Sequence, residues 1–210
     1  MPVVPADALK PRKTPRQARS TATVSAIFEA TFQVLLSDGV LRLTTTRVAE
    51  RAGVSIGTMY QYFPHKQALL YAVLDHYLDG VVVAIEAACA KYEGASLTEM
   101  SDGLVHAYLE AKLKHLPGSR ALYVVAADLD TANLIDDVVQ RVDHAVMGLL
   151  ASAPDVGFDD LTTVTFALRS MLVGTVRAVL ENDAEPASLA MLREQLPVMC
   201  RAYLVAVSRR

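Results

Sequence analysis

The sequence predicts an all-α protein of about nine helices, in which an N-terminal three-helix helix-turn-helix unit precedes a larger helical body. Apolar residues recur three or four positions apart along most of the 210 residues. Glycine, proline and serine-aspartate clusters interrupt these periods where helices would end. The β-branched runs at 81–83 and 123–125 lie inside helical periods, so we expect no strand.

Composition places the chain among globular proteins. Hydrophobic residues make up 52% and charged residues 20% of the sequence, which suits a protein with a sizeable core. The longest apolar run, 81–90, contains Glu86 and is too short to cross a bilayer. Residues 1–15 hold four prolines and three basic residues instead of the apolar segment of a signal peptide. We therefore expect a soluble, cytoplasmic protein with no membrane partner.

Charge is unevenly distributed along the chain. Residues 1–66 carry nine basic side chains against four acids, whereas the remainder carries eleven against nineteen. A basic N-terminal segment followed by an acidic remainder indicates an N-terminal unit that binds a polyanion. A chance fluctuation in charge would give the same pattern.

The first elements follow from proline content and apolar spacing. Residues 1–15 mix proline with lysine and arginine and show no apolar period, so they predict a flexible basic tail. The helical period begins at Arg16, and the first helix is expected to stop at 37–39, where the sequence reads Ser-Asp-Gly.

Capping residues define two short helices after this stop. Thr44 or Thr45 can cap a second helix, which Gly53 ends by accepting a left-handed backbone. Ser55 can cap a third helix over 56–62, which must finish before the following proline. The stretch predicts a helix, a tight turn and a second helix.

Six further helices are predicted after this pair. Glu93-Gly94 closes the first of them, and Pro117-Gly118 separates the second from the third. Their apolar stripes lie within 66–92, 97–111, 121–129, 135–149, 161–179 and 189–207.

The two short helices have the lengths and apolar anchors of a helix-turn-helix, whose second helix can lie in the major groove of DNA. Gly57 lets the backbone approach a phosphate. Thr45 and Lys66 lie at the starts of neighbouring helices, where their side chains and the free backbone N–H groups can bind an anion together. A polar helical hairpin with no DNA partner is the alternative that these residues leave open. The side chains expected to point outward are Thr58, Tyr60, Gln61 and Tyr62.

Three motifs in this region resemble those of the tetracycline-repressor (TetR) family of regulators. They read VAERAGVS at 48–55, GTMYQYF at 57–63 and KQALL at 66–70. The resemblance implies a homodimer that binds double-stranded operator DNA and responds to a small-molecule effector held in the C-terminal domain. It gives phosphate-contacting roles to Thr44, Thr45, Tyr60 and Lys66, and groove-facing roles to Ile56, Gly57, Thr58, Gln61 and Tyr62. Ile56 departs from the family, in which a polar or charged residue often precedes the glycine. Arg47 and Ser55 complete the predicted DNA-binding set.

The C-terminal part offers a less specific set of ligand-binding candidates. Arg169 could hook an acidic group, because it shares a helical face with Phe166. An ion pair is the open alternative for Arg169, and ordinary core packing is the alternative for the aromatic residues. The predicted ligand-binding residues are Tyr108, Tyr123, Met147, Phe166 and Arg169.

The expected organisation is a tail over 1–15, a DNA-binding domain over 16–65, and a ligand-binding and dimerisation domain over 66–210. The last two helices carry broad apolar stripes, and the resemblance implies that they pair with their mates in a homodimer. Packing of both stripes inside one monomer is the alternative that the residues leave open.

The sequence contains no catalytic motif that would indicate an enzyme. The sequence has no glycine-rich phosphate loop, no paired carboxylates in a convincing frame and no clustered metal ligands, so we expect no catalysis, no metal and no cofactor. Cys89 and Cys200 are interpreted as buried small hydrophobic residues. The remaining alternative is a dimeric DNA-binding protein that needs no effector.

Overall fold

A computed structural model describes residues 18–114, 116–127, 129–182 and 185–209. The expected tail over 1–15 lies outside these residues. The described residues form nine α-helices and a single isolated antiparallel bridge between Gly157 and Arg209. The predicted all-α class is confirmed.

The helices follow the predicted order closely. They are α1 (Ala18–Arg42), α2 (Thr45–Ala52), α3 (Ile56–Tyr62), α4 (Lys66–Lys91), α5 (Leu97–Leu113), α6 (Leu116–Ala127), α7 (Ala132–Ala151), α8 (Leu161–Glu181) and α9 (Pro186–Val207).

Two helix boundaries differ from the sequence-based expectation. The predicted stop at 37–39 is a kink, since Gly39 has a φ of 76° and the helical hydrogen bonding resumes up to Arg42. Helix α6 begins at Leu116 instead of near Ala121. A proline is tolerated in the first turn of a helix, because its missing N–H has no partner there.

The chain divides into two compact units. The N-terminal unit holds the described residues up to Leu78 together with 117–135, and the C-terminal unit holds 79–116 with the described residues from Asp136 onward. The first half of α4 and α6 from residue 117 onward thus join α1 to α3 in the N-terminal unit. This division differs from the functional boundary expected between residues 65 and 66.

The core of the N-terminal unit is built from α1 to α4 and α6. The ring of Phe28 lies 5.9 Å from that of Phe63 and 5.1 Å from that of His76, centroid to centroid. Around them, apolar side chains from all five helices exclude water, and this burial supplies most of the driving force for folding. Its fully buried members include Ile27, Leu43, Val48, Met59, Leu69, Val73 and Val125.

In the C-terminal unit, α9 packs against both α5 and α8. Ser96 and Glu99 form a capping box that begins α5. Position 103 requires glycine, because a Cβ there would lie 2.1 Å from the ring of Tyr92. The buried side chains of α9 recur every four residues at Leu192, Leu196, Cys200 and Leu204.

Arg141 on α7 joins the C-terminal half of α4 to the same unit. Its Nε and Nη2 donate to the two carboxylate oxygens of Glu86 at 3.1 and 3.0 Å, and its Nη1 donates to Asp79 at 2.8 Å. The two carboxylates raise the pKa of Arg141. A bidentate contact of this kind fixes the orientation of the guanidinium relative to the carboxylate as well as the distance between them.

Three helices are long and apolar enough to span a membrane by length and composition alone, namely Ser20–Arg42, Lys66–Lys91 and Leu161–Glu181. Each has one face in a protein core and carries charged residues, such as Glu29, Asp79 and Arg169 respectively. Their hydropathy therefore reflects helices that bury a broad stripe.

Candidate nucleic-acid interface

The helix-turn-helix is fixed by short-range capping. The side chain of Thr44 accepts a hydrogen bond from the backbone N–H of Arg47 at 3.2 Å, so Thr44 and not Thr45 is the N-cap of α2. Gly53 ends the helix with a φ of 66°, a left-handed conformation in which a Cβ would be strained.

The second helix of the pair begins at a serine cap, as predicted. Ser55 Oγ accepts from the backbone N–H of Thr58 at 3.0 Å and lies 2.9 Å from the Thr58 hydroxyl. The N–H of Phe63 donates to the carbonyl of Met59 and closes α3 before Pro64. The seven-residue helix has the length expected of a reading helix.

Most of the predicted groove-facing residues lie on the outside of α3. Ile56 is 41% exposed, and Gly57 and Gln61 are also exposed, while Thr58 is half-buried. Tyr62 is only 8% exposed and belongs to the core. The expectation that Tyr62 points outward is therefore wrong, because Tyr62 follows Met59 by one helical turn and shares its inward face.

Tyr60 is the exposed aromatic residue of α3 that α2 holds in place. Tyr60 is 44% exposed, and its hydroxyl lies 3.3 Å from the hydroxyl of Thr45. Thr45 itself is 9% exposed. A buried threonine at the start of α2 thus positions an exposed phenol at the surface of α3.

The predicted basic residues make contacts inside the N-terminal unit. Lys66 Nζ donates to the carbonyl of Val40 at 2.6 Å, and Arg47 pairs with Asp38 at 2.9 Å. Both contacts tie the C-terminal end of α1 to α2 and α4, which flank α3 in the sequence. The sequence reasoning missed Asp38 and Val40 as partners, since nothing in local spacing relates them to Arg47 or Lys66.

His65 is a second residue that the sequence reasoning missed. Its Nδ1 accepts a hydrogen bond from the backbone N–H of Ala68 at 3.1 Å, so the imidazole caps the first turn of α4. A side-chain acceptor three residues before a helical N–H is the signal that could have found it.

The predicted ligand-binding residues are distributed over both units. Tyr123 lies in the N-terminal unit, whereas Tyr108, Met147, Phe166 and Arg169 lie in the C-terminal unit. Tyr108 is buried, Met147 is half-buried and Phe166 is 59% exposed. The guanidinium of Arg169 lies 5.5 Å from the ring centroid of Phe166.

Arg169 forms an ion pair, which is the alternative to ligand binding that the sequence left open for this residue. Its Nε donates to Asp143 Oδ1 at 2.7 Å, and the contact joins α8 to α7. A free ligand acid would therefore compete with Asp143 for this guanidinium.

Polar groups lie inside the C-terminal unit at positions that the sequence reasoning did not select. Ser101 and Thr165 are each 1% exposed and Lys112 is 6% exposed. Burial lowers the pKa of Lys112 from 10.5 to about 8, because a charged amine is disfavoured away from water.

Neither metal nor thiol chemistry is indicated by the part of the chain that the structure describes. It contains no group of three or more metal-ligating side chains. Cys89 and Cys200 are free and buried, and burial raises the pKa of their thiols to about 11 and about 12. Such thiols stay protonated and weakly nucleophilic.

Comparison with known protein families decides the class of this helix-turn-helix. Residues 27–73 match the family model described as bacterial regulatory proteins, tetR family, and residues 96–204 match tetracyclin repressor-like, C-terminal domain. The second match alone covers more than half of the chain. The chain belongs to the TetR family. TetR regulators are DNA-binding transcription regulators and not enzymes, so the predicted function class is confirmed.

Solved structures of TetR proteins share the fold over nearly the whole chain. A regulator from Mesorhizobium loti has a TM-score of 0.69 at 19% identity, covering 92% of this chain and 100% of its own. One from Streptomyces coelicolor has a TM-score of 0.61 at 23% identity, covering 88% and 99%. LfrR from Mycobacterium smegmatis, solved with proflavine, has a TM-score of 0.57 at 21% identity, covering 88% and 96%. At these identities the likeness establishes the fold. A search of curated proteins finds no match.

Proposed function

We propose that this TetR protein is a cytoplasmic, homodimeric repressor that binds palindromic operator DNA through α3 and leaves it when a small-molecule effector binds. The observation that carries the proposal is the arrangement of α3, whose outer face is exposed while Met59 and Tyr62 anchor it in the core. An exposed, rigidly anchored helix of this length fits the major groove.

Contacts within the N-terminal unit support a division of labour around the groove. Gln61 and Thr58 carry hydrogen-bonding groups toward base edges, and Ile56 offers an apolar contact to a thymine methyl. Tyr60, held by Thr45, suits a phosphate oxygen, because its position is fixed independently of base sequence. Further phosphate contacts are assigned to Thr44, Arg47, Lys66 and the backbone around Ser55 and Gly57.

The outer faces of α8 and α9 support dimerisation with a second copy of the chain. Met191, Val198 and Val205 are spaced seven residues apart on α9 and are 55%, 50% and 60% exposed. Phe166 and Val173, also seven apart, are 59% and 41% exposed on α8. Heptad-spaced apolar residues on two adjacent helices are the pattern of a helical bundle interface.

The proposed effector response rests on the C-terminal family match and on the fold shared with LfrR, which was solved with proflavine. An effector that prefers one arrangement of α4 to α7 shifts the population away from the DNA-binding arrangement. In a dimer the two reading helices would then leave the spacing of about 34–36 Å that successive major grooves require.

Selection of bound fragments from random DNA tests the DNA-binding part. We expect a palindromic consensus, and we expect affinity to fall steeply with added salt because phosphate contacts release counterions. An asymmetric consensus, or an affinity independent of salt, would contradict the proposal.

Tyr60→Ala and Gln61→Ala test the assignment of roles on α3. Tyr60→Ala should weaken binding to the consensus and to single-base variants by the same factor, about tenfold. Gln61→Ala should change the ranking of those variants, since a base contact discriminates by about 1–3 kcal/mol. Fluorescence anisotropy on a panel of operators measures both. Equal losses on every operator for both variants would refute the division.

A further inference from the structure

The helices of the N-terminal unit carry no net charge of their own. Residues 18–78 and 117–135 contain six basic and six acidic side chains, with histidine counted as neutral. Residues 79–116 and 136–210, which form the C-terminal unit, contain ten basic and sixteen acidic side chains. Cationic contacts to phosphates supply most of the non-specific affinity of a protein for DNA. The helices of the two units therefore lack the excess of positive charge on which such affinity depends.

The helix-turn-helix itself offers few free cations to a phosphate. The sequence of α3 contains no charged side chain. On α2, Arg47 pairs with Asp38 at 2.9 Å, so much of its charge is compensated within the unit. The acid Glu50 is exposed on the same helix and repels a polyanion.

The positive charge of the N-terminal part of the chain lies ahead of these helices. Between Asp7 and Glu29 the sequence contains five basic side chains and no acidic one. Four of the five fall within residues 10–16, which read KPRKTPR and are called the basic segment below. These four are Lys10, Arg12, Lys13 and Arg16.

The basic segment precedes a helix that supports the helix-turn-helix. It lies just before α1, and α1 packs against α2. On α1, Ile27 is fully buried, whereas the preceding residues Thr21, Ala22 and Ser25 are small and exposed. The basic charge is therefore attached to the DNA-binding unit and not to the acidic C-terminal unit.

The composition of the basic segment favours one of the two grooves of DNA. Proline at positions 11 and 15 favours an extended backbone for the residue before each of them. The minor groove is about 6 Å wide, which is too narrow for a helix of about 10 Å diameter but suits an extended strand. Arginine and lysine are favoured there, because narrow A·T-rich stretches concentrate negative potential.

We propose that the basic segment is a second DNA-binding element, which lies in the minor groove beside the major groove that α3 reads. Its cations supply the attraction to phosphates that the neutral helices of the N-terminal unit cannot supply. It also adds base pairs outside the reach of α3 to the operator, with a preference for A·T over G·C. The inference rests on the proposed function in taking operator DNA as the partner of α3.

A variant of the full-length chain that carries Arg12→Gln, Lys13→Gln and Arg16→Gln tests the attraction. We expect its affinity for the selected operator to fall at least about tenfold at roughly 0.1 M salt. The slope of log affinity against log salt should become shallower by about one for each lost contact. Fluorescence anisotropy over a series of salt concentrations measures both quantities.

The matched control removes three basic side chains from the C-terminal unit. Lys91, Lys114 and Arg193 are exposed there, and their combined substitution by glutamine changes the net charge by the same amount. The control should keep the wild-type salt slope. An unchanged slope for the variant of the basic segment, or an equal change in both proteins, would overturn the proposal.

Hydroxyl-radical footprinting tests the minor groove, because the radicals attack sugars that this groove exposes. We expect the wild type to protect sugars on both flanks of the base pairs read by α3, and the variant of the basic segment to lose only that protection. Replacing A·T flanks by G·C flanks should weaken the wild type severalfold and leave the variant unchanged. Unprotected flanks, or a wild type indifferent to flank sequence, would overturn the placement in the minor groove.

Circular dichroism and Tm of both variants separate a lost DNA contact from a lost fold, and we expect both to match the wild type. A wild-type protein that selects no operator would refute the proposed function and this inference together. A wild type that binds its operator no better than the variant of the basic segment would leave the proposed function standing and refute only this inference.

Discussion

Burial changes what individual residues can do, and Tyr60 and Tyr62 show this on one short helix. The two tyrosines are two positions apart, yet one is 44% exposed and the other 8%. Helical geometry explains the difference, since positions two apart lie on opposite sides of a helix. Chemical identity alone would have given both residues the same role.

Lys112 makes stability depend on pH in a predictable direction. Its pKa is about 8 in the folded protein against 10.5 for an ordinary lysine. Below pH 8 both states hold the proton and the folded state bears the full burial penalty. Between pH 8 and 10.5 the unfolded chain binds more protons, so stability rises with pH and the penalty disappears.

We therefore expect Lys112→Met to be more stable than the wild type near pH 7, by up to about 3 kcal/mol. The difference should shrink steadily as the pH approaches 10. Urea unfolding at a series of pH values measures it, and Lys114→Met should show no such pH-dependent difference from the wild type. A stability gain that stays constant with pH would show that lost charge burial is not its cause.

At the scale of helices, glycine has opposite roles in two places. Gly53 adopts a φ of 66° to end α2, whereas Gly80 lies inside α4 with open space around it. Gly53→Ala should destabilise the protein by about 1 kcal/mol, because a Cβ strains the left-handed conformation. Gly80→Ala should stabilise it by about 0.5–1 kcal/mol by restricting the unfolded chain.

Chemical denaturation of both glycine variants gives the two free energies of unfolding directly. Operator affinity should fall for Gly53→Ala, since the turn sets the angle between α2 and α3. A stabilised Gly53→Ala variant would contradict the capping role.

Elements defined by local chemistry could be predicted from the sequence, and contacts between distant residues could not. Thr44, Gly53 and Ser55 act on backbone groups within four residues, so their spacing is sufficient. The pairs Arg47–Asp38, Lys66–Val40 and Arg169–Asp143 join different helices, and their geometry depends on how those helices pack. The caps of α2 and α3 were therefore predicted well, whereas the end of α1, the start of α6 and the partners of Arg47, Lys66 and Arg169 were not.

For the whole molecule, the exposed apolar rows of α8 and α9 make assembly the main prediction. Val198→Glu should convert the proposed dimer into a monomer, because it would place an unpaired carboxylate of each copy in an apolar interface. Operator affinity should fall more than a hundredfold, since one half-site contributes little alone. Sedimentation velocity and anisotropy measure the two effects.

Val83→Glu is the matched control for this experiment. Val83 is 50% exposed, like Val198, but lies on α4 and outside the proposed interface. Val83→Glu should leave the proposed dimer intact. A dimeric Val198→Glu with normal operator affinity would exclude α9 from the interface.

The hydroxyl pair between Thr45 and Tyr60 has a thermodynamic consequence for recognition. An exposed tyrosine normally loses rotational freedom when it meets DNA, and that loss opposes binding. Here the phenol is already restrained in the free protein by a neighbour that is itself almost inaccessible. In the proposed complex with operator DNA, part of the entropic penalty of binding is thus met during folding, and operator affinity depends on the buried Thr45 side chain as well as on the exposed Tyr60.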